Sequence, residues 1–300
     1  MDFDFSKIIG LDEVAQFTAR HELQKRLDPA QAWKSQAYKD KVVIITGGAT
    51  GVGAGIATTY ARAGANLVLV GRRKAKLEEK KAEITKELPN ARIELVDGDI
   101  SQPDVPKRAV EAAVKAFGRV DIAIANAGTG TPPLYRIGDS NPLVWRAAVE
   151  TNIFGTYGLV NAALPELVKT TGQIIVTGSS GAFLRFPLGS DYLVSKHALN
   201  RLVELLAVEY PDIKSYIVQP GEIVTEQSLK AEEASGMKFP RQDTAENAGA
   251  FYLWLTSRNA EFLSGRYVDA TWDVEELLAK KDEIVRDNLL VAKLAGPARK

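Results

Sequence analysis

Tyr192 and Lys196 stand four residues apart, and Ser179 precedes the tyrosine by thirteen residues. A phenol, an ammonium group and a hydroxyl can together manage a proton at a carbonyl oxygen. Reducing a ketone requires hydride at carbon and a proton at oxygen, and a tyrosine with its ordinary pKa near 10 is poorly matched to neutral pH. Residues four apart share a helix face, so Lys196 is expected beside Tyr192. A unit positive charge about 4 Å away, in an effective dielectric of about 20, is worth roughly 4 kcal/mol, or about three pKa units. The expectation is that Lys196 brings the phenol toward neutrality.

Far upstream, Thr46-Gly47-Gly48-Ala49-Thr50-Gly51-Val52-Gly53 follows the apolar run Val42 to Ile45 and precedes a small-residue stretch, Gly55 to Ala63. N–H groups at a helix start are unpaired and carry partial positive charge, and Gly47, Gly51 and Gly53 would let a phosphate reach them. A glycine-rich turn alone is as readily structural. Beside the proton-handling residues, it reads as the pyrophosphate site of a dinucleotide that supplies the hydride.

The elements that must position these residues follow in alternation. Strand patterns at 66–70, 93–96, 120–125, 173–177, 213–218 and 267–270 alternate with helical ones at 74–88, 105–117, 142–167 and 192–210. Strands this apolar need cover on both faces, which makes an α/β fold: a doubly wound parallel sheet of about seven strands, with ligands at its carboxyl ends. No Pro/Gly/Ser-rich linker interrupts it, so one domain is expected over residues 41–270. Residues 1–40 form an N-terminal extension with a helix expected around Val14 to Leu27. Residues 271–300 form a C-terminal extension with a helix from Trp272 to Val285.

Formal charge is zero, from 38 basic and 38 acidic residues, so no global field draws the chain to nucleic acid or an anionic membrane. Small molecules and a second copy of the chain are the partners expected. The absence of cysteine excludes disulfides, thiolate metal sites and a cysteine nucleophile. His21 and His197 lack ligand-spaced companions, so no metal site is expected. The acidic start Met1-Asp2-Phe3-Asp4-Phe5 is unlike a signal peptide, and no apolar run is long enough to span a bilayer, so a cytoplasmic protein is expected.

In order, TGxxxGxG at Thr46, an Asp at 99, Asn126-Ala127-Gly128, a lone Asn152, Ser179, Tyr192-x-x-x-Lys196 and Pro220-Gly221 resemble the short-chain dehydrogenase/reductase family. The resemblance covers about Lys41 to Asp269. It implies a Rossmann-type fold and NAD(P)-dependent interconversion of a ketone and a secondary alcohol. It makes Tyr192 the acid or base and Ser179 the holder of the substrate oxygen, with Ser180 the alternative if the loop is shifted by one. Lys196 would also bind the nicotinamide ribose, and Asn152 would support a proton relay. Thr46, Gly47, Gly51, Val52 and Gly53 fall on the pyrophosphate turn, Asp99 and Ile100 on the adenine contact, and Asn126, Ala127 and Gly128 on the cofactor's path. Pro220, Gly221 and Thr225 would face the nicotinamide carboxamide. Ala125 replaces the first Asn of the family's NNAG.

After the second strand, Gly71 stands where NAD-preferring relatives carry Asp, and Arg72 and Arg73 offer donors suited to a 2′-phosphate. NADP(H) is therefore expected, with NAD(H) and a merely solvated arginine pair left open. Phe183, Leu184, Phe186, Pro187 and Leu188 indicate an apolar substrate, polycyclic or polyketide-like, or else core packing. Arg185 could meet an acidic group on it. The stretch from Gly221 to Gln242 resembles a mobile lid. Apolar residues on the helix after Tyr192, with Phe251, Leu253 and Trp254 on the next, suggest a homodimer or homotetramer. Alternatively, the chain's extra ends cover those surfaces. Other uses of the same pocket are non-redox dehydration or cyclisation, and dinucleotide sensing without turnover.

Overall fold

Every residue of Val42–Thr46 (β1) and of Gln173–Thr177 (β5) is buried. They share one sheet with Asn66–Gly71 (β2), Ile93–Asp97 (β3), Ile122–Ala125 (β4), Lys214–Gln219 (β6) and Arg266–Asp269 (β7). The strand order is β3-β2-β1-β4-β5-β6-β7, and every pairing is parallel. This is the Rossmann-type, doubly wound α/β sheet. The chain runs outward from β1 to β3 and returns on the other side with β4. The switch point therefore lies between β1 and β4, where such sheets take ligands at their carboxyl ends. This computed structural model describes residues 8–130, 135–185, 187–235, 238 and 242–294.

Two short helices, Leu11–Val14 (α1) and Ala30–Ser35 (α2), precede the sheet. It is then flanked by Gly51–Arg62 (α3), Lys74–Glu87 (α4), Asp104–Phe117 (α5), Pro142–Val149 (α6), Gly155–Thr170 (α7), Ser190–Glu209 (α8), Glu226–Ser235 (α9) and Ala245–Trp254 (α10). A π-helical turn, Glu150–Phe154, joins α6 to α7, so the long helical stretch expected from 142 runs on to 170. Val274–Ala279 (α11) and Lys281–Arg286 (α12) are the last helices among the described residues. Among the described residues no helix is long and apolar enough to cross a membrane.

Both chain ends depart from expectation. The helix expected over Val14–Leu27 does not form, because the C-terminal segment takes its hydrogen-bonding groups. Arg20 N donates to Thr271 O (2.6 Å), Asp273 N to Thr18 O (2.8 Å) and Thr18 N to Glu276 Oε2 (2.9 Å), while Gln24 bridges Trp272 O and Val274 N. Groups paired across to another segment cannot also close helical turns. The single helix expected from Trp272 is instead α11 and α12, with Trp272 drawn into a ring cluster against Phe17 and Tyr267.

The subunit face expected on α10 is occupied within the chain. Phe251, Leu253 and Trp254 are buried, and Tyr38 of the N-terminal extension donates its hydroxyl to Leu253 O (2.7 Å). On α8, by contrast, Val194, Leu205 and Val208 remain exposed.

Candidate active site

The glycine turn closes the carboxyl end of β1. Gly47 N and Gly48 N both donate to Val70 O, which ties the turn to the end of β2. Gly47 has φ +65°, a left-handed conformation that favours glycine. A Cβ on Gly53 would stand 2.2 Å from Gly47 O, so no side chain fits there. Thr46 Oγ1 accepts from both Asn126 N and Ala127 N (3.0 Å each), and Asn126 Nδ2 returns a bond to Thr46 O (3.0 Å). Thr46, Asn126 and Ala127 thus lock the ends of β1 and β4 together. Val52 is partly buried on the first turn of α3, whose opening N–H groups lack intrahelical acceptors.

At the end of β2, Arg72 Nη1 lies 3.9 Å from Asp99 Oδ2. The other Asp99 oxygen accepts from Ser101 N and Ser101 Oγ, so part of this carboxylate caps its own turn. Ile100 is buried against Gly155 of α7, a packing position. Arg73 is bound instead to Glu226 at the start of α9 (2.8 Å). Thr225 Oγ1 accepts from Ser228 N (3.0 Å), capping α9, and its methyl would lie 3.1 Å from a Cβ on Gly51. Pro220 and Gly221 lead from β6 into this segment.

Asn152 sits on the π-helical turn, a distortion common at functional sites. Its amide brackets Thr129, accepting from Thr129 N and donating to Thr129 O (2.7 Å each), and it also donates to Ser195 Oγ (2.8 Å). Ser195 Oγ in turn donates to Tyr192 O (2.8 Å). Asn152 therefore links the exit of β4 to α8. Thr129 and Ser195 were not expected here. Ser195, three residues after Tyr192 on one helix face, carried the only local signal.

Ser179 lies beside Tyr192, both flanking Gly181, and its Oγ accepts from Gly181 N (3.1 Å). Of the two candidate serines, it is Ser179 that the structure brings to the phenol. Lys196 Nζ donates to Thr177 O (2.7 Å), lies 5.6 Å from the centre of the Tyr192 ring, and would be 3.4 Å from a Cβ on Gly128. The expectation that Lys196 lowers the phenol is not met in this structure. Burial raises the Tyr192 pKa, the Ser179 hydroxyl opposes it, and the Glu222 carboxylate pushes the same way as burial. Burial also lowers Lys196 to about 8, because its ammonium is desolvated without a carboxylate partner.

These residues fit a dinucleotide. The space between the glycine turn and Thr225 is one that a Cβ would fill, and Gly128 keeps open the gap beside the buried Lys196 ammonium. A short chain dehydrogenase profile matches residues 41–235. The chain belongs to the short chain dehydrogenase family. It is an oxidoreductase of a family that binds NAD(P). The short chain dehydrogenase mpl6 of Monascus purpureus is 32% identical over 261 residues, which are 85% of this chain and 88% of the relative. The 3-oxoacyl-[acyl-carrier protein] reductase of Brucella melitensis with bound NAD superposes with a TM-score of 0.71 at 25% identity, over 84% of this chain and 97% of that one. The alcohol dehydrogenase of Thermococcus sibiricus complexed with 5-hydroxy-NADP gives 0.66 at 25% identity, over 76% and 95%.

This short chain dehydrogenase has a cleft of about 1620 Å³ between its ends and the segment after Ser179, walled by Phe183, Leu184, Pro187 and Leu188, with Phe17 and Trp272 opposite. Phe186 lies outside the described residues, as do 236–237 and 239–241 of the expected lid. The cleft reaches Gly181, where a Cβ would meet Ser179 Oγ at 3.2 Å and Tyr192 Cε1 at 3.7 Å. Arg185, which could have met an acidic group on the substrate or simply been solvated, is paired with Glu13 and accepts from Ile9 N at its carbonyl. The ring of His197 meets Ala182 O, the ordinary helix-flank role.

Beneath the Pro220-Gly221 turn lie three carboxylates that sequence spacing did not bring together. Asp243 Oδ2 accepts from Glu222 N (2.7 Å), and Asp243 Oδ1 meets His21 Nδ1 of the N-terminal extension (2.8 Å). Burial and the nearby Asp269 and Asp243 raise Glu222. Asp269 is pushed up to about 6, chiefly by burial and against the two Thr271 hydrogen bonds.

Proposed function

We propose that this enzyme uses NADP(H) to interconvert a ketone and a secondary alcohol on a bulky, apolar small molecule. The observation that carries the reading is the Ser179–Tyr192 pair, set between Gly128, where a Cβ would stand 3.4 Å from Lys196 Nζ, and the apolar cleft at Gly181. The bound dinucleotide supplies or accepts the hydride. Ser179 orients the substrate oxygen, and Tyr192 exchanges the proton with it. A phenol is protonated at neutral pH, the state needed to give a proton to an oxygen gaining negative charge. Lys196 and the glycine turn, with Asp99, hold the cofactor, and Arg72 and Arg73 supply the donors for a 2′-phosphate. The size and apolar walls of the cleft support a polycyclic or polyketide-like substrate.

Tyr192→Phe tests the assignment. Turnover of a bulky ketone should fall about 10²–10⁴-fold, the usual worth of a positioned acid, while NADPH binding by fluorescence titration stays intact. Undiminished turnover would overturn it. Exposed Phe154 and Tyr157 on the α7 side and Val194, Leu205 and Val208 on α8 support a homodimer through that face. Sedimentation velocity should give twice the chain mass, and a monomer at micromolar concentration rejects the pairing.

A further inference from the structure

The first residues of α9 and its cap touch three separate parts of the dinucleotide cradle. Thr225 lies against Gly51 of the glycine turn. Glu226 takes Arg73 at the end of β2 (2.8 Å). Gln227, with its amide oriented to satisfy both groups, donates to Gly128 O (3.3 Å) and accepts from Gly130 N (2.7 Å) beyond β4. Of these three contacts, only the one at Arg73 joins opposite charges. Arg73 is the cap residue of α4 and stands beside Arg72, whose own nearest carboxylate, on Asp99, is at 3.9 Å.

We infer that Glu226 is a stand-in anion: it occupies the guanidinium that a 2′-phosphate on adenosine would take, and so couples recognition of that phosphate to release of α9. The inference rests on the NADP(H) reading. A phosphate monoester carries nearly two charges and three acceptor oxygens, against one charge and two oxygens for a carboxylate, and a guanidinium binds it through a planar fork. The phosphate therefore wins the contest for Arg73. Displacement costs Glu226 little, because Lys230, four residues on along α9, already donates to its other oxygen (2.8 Å). Arg73 and Lys230 together hold the Glu226 carboxyl down at about 2, so it competes as a full anion at any neutral pH. An adenosine without the 2′-phosphate leaves the Arg73–Glu226 pair intact and α9 held down.

Calorimetric titration of the full chain with adenosine 2′,5′-bisphosphate and with adenosine 5′-monophosphate separates the 2′-phosphate from the rest of the ligand. Glu226→Gln keeps the shape and removes the competing charge. Because the pair is solvent-exposed, the variant should bind the bisphosphate about two- to five-fold more tightly, with 5′-monophosphate affinity unchanged. Hydrogen exchange across 226–235 should rise on bisphosphate binding to the native protein, and should already be raised in unliganded Glu226→Gln. In native protein that prefers the bisphosphate, an unchanged affinity ratio in Glu226→Gln, or exchange indifferent to the bisphosphate, overturns the inference. Native protein that does not distinguish the two ligands rejects the NADP(H) reading. In that case a preference gained by Glu226→Gln still supports the competition, and none gained rejects both.

Discussion

The glycine turn and the joined chain ends are built on different physics. The turn is fixed by backbone and buried hydroxyl: Gly47 and Gly48 bonded to Val70, Thr46 holding the N–H groups of Asn126 and Ala127, and no room for a Cβ at Gly53. The ends add to a few long-range bonds, Arg20 N to Thr271 O and Asp273 N to Thr18 O, a set of pairs that water can reach, Arg26 with Glu275 and Arg20 with Asp273, around the ring contact of Phe17 with Trp272. Exposed ion pairs contribute little individually, whereas buried backbone contacts leave no alternative arrangement. The dinucleotide side is therefore a fixed mould, and the cleft side is a wall whose residues can vary without disturbing it.

Gly53→Ala tests the rigid side, and the largest effect is expected there. The new methyl would meet a backbone oxygen at 2.2 Å and Asn126 Nδ2 at 2.6 Å, an amide itself held by its bond to Thr46 O. Overpacking of this kind costs about 1–3 kcal/mol and occasionally more, and the displaced turn should lose dinucleotide binding. Thermal denaturation with and without NADPH checks both parts. A variant with native melting temperature and native ligand-induced stabilisation would show that the turn yields, and the contrast with the chain ends would fail.

The same contrast explains what the sequence made legible. Thr46, the glycines, Tyr192 and Lys196 lie within local patterns whose geometry follows from a strand end or a helix face, so their neighbourhood could be read from spacing. The ends could not be read in this way. The stretch Val14–Leu27 has residues able to form a helix, but its long-range partners are 222 to 258 residues away in sequence, and no local rule reports them. The phenol's pKa failed for a related reason. Helical spacing put Lys196 on the same side as Tyr192, where Nζ stands 5.6 Å from the ring centre, but the desolvation of both groups and the nearness of Glu222 depend on the whole fold. Asp243 and Asp269 were missed because three separate segments deliver the acids around Glu222, and a fourth brings His21.

Those carboxylates lie where the two regions meet, since His21 from the N-terminal extension binds Asp243 against the turn that follows β6. Asp269 is raised to about 6 in the folded protein from an ordinary 3.8. The folded state therefore holds a proton that the unfolded chain has already released between those values. Its contribution to stability is present below about pH 4 and is lost as pH rises through about 6. Asp269→Asn keeps an oxygen for Thr271 N and Thr271 Oγ and removes the ionisation. The variant should gain roughly 1–3 kcal/mol relative to native protein on going from pH 4 to pH 7, read from urea denaturation at each pH. Parallel native and variant curves across that range would mean that Asp269 ionises freely. The junction would then behave like the exposed ion pairs of the ends, and the boundary between mould and wall would move inward to Gly221 itself.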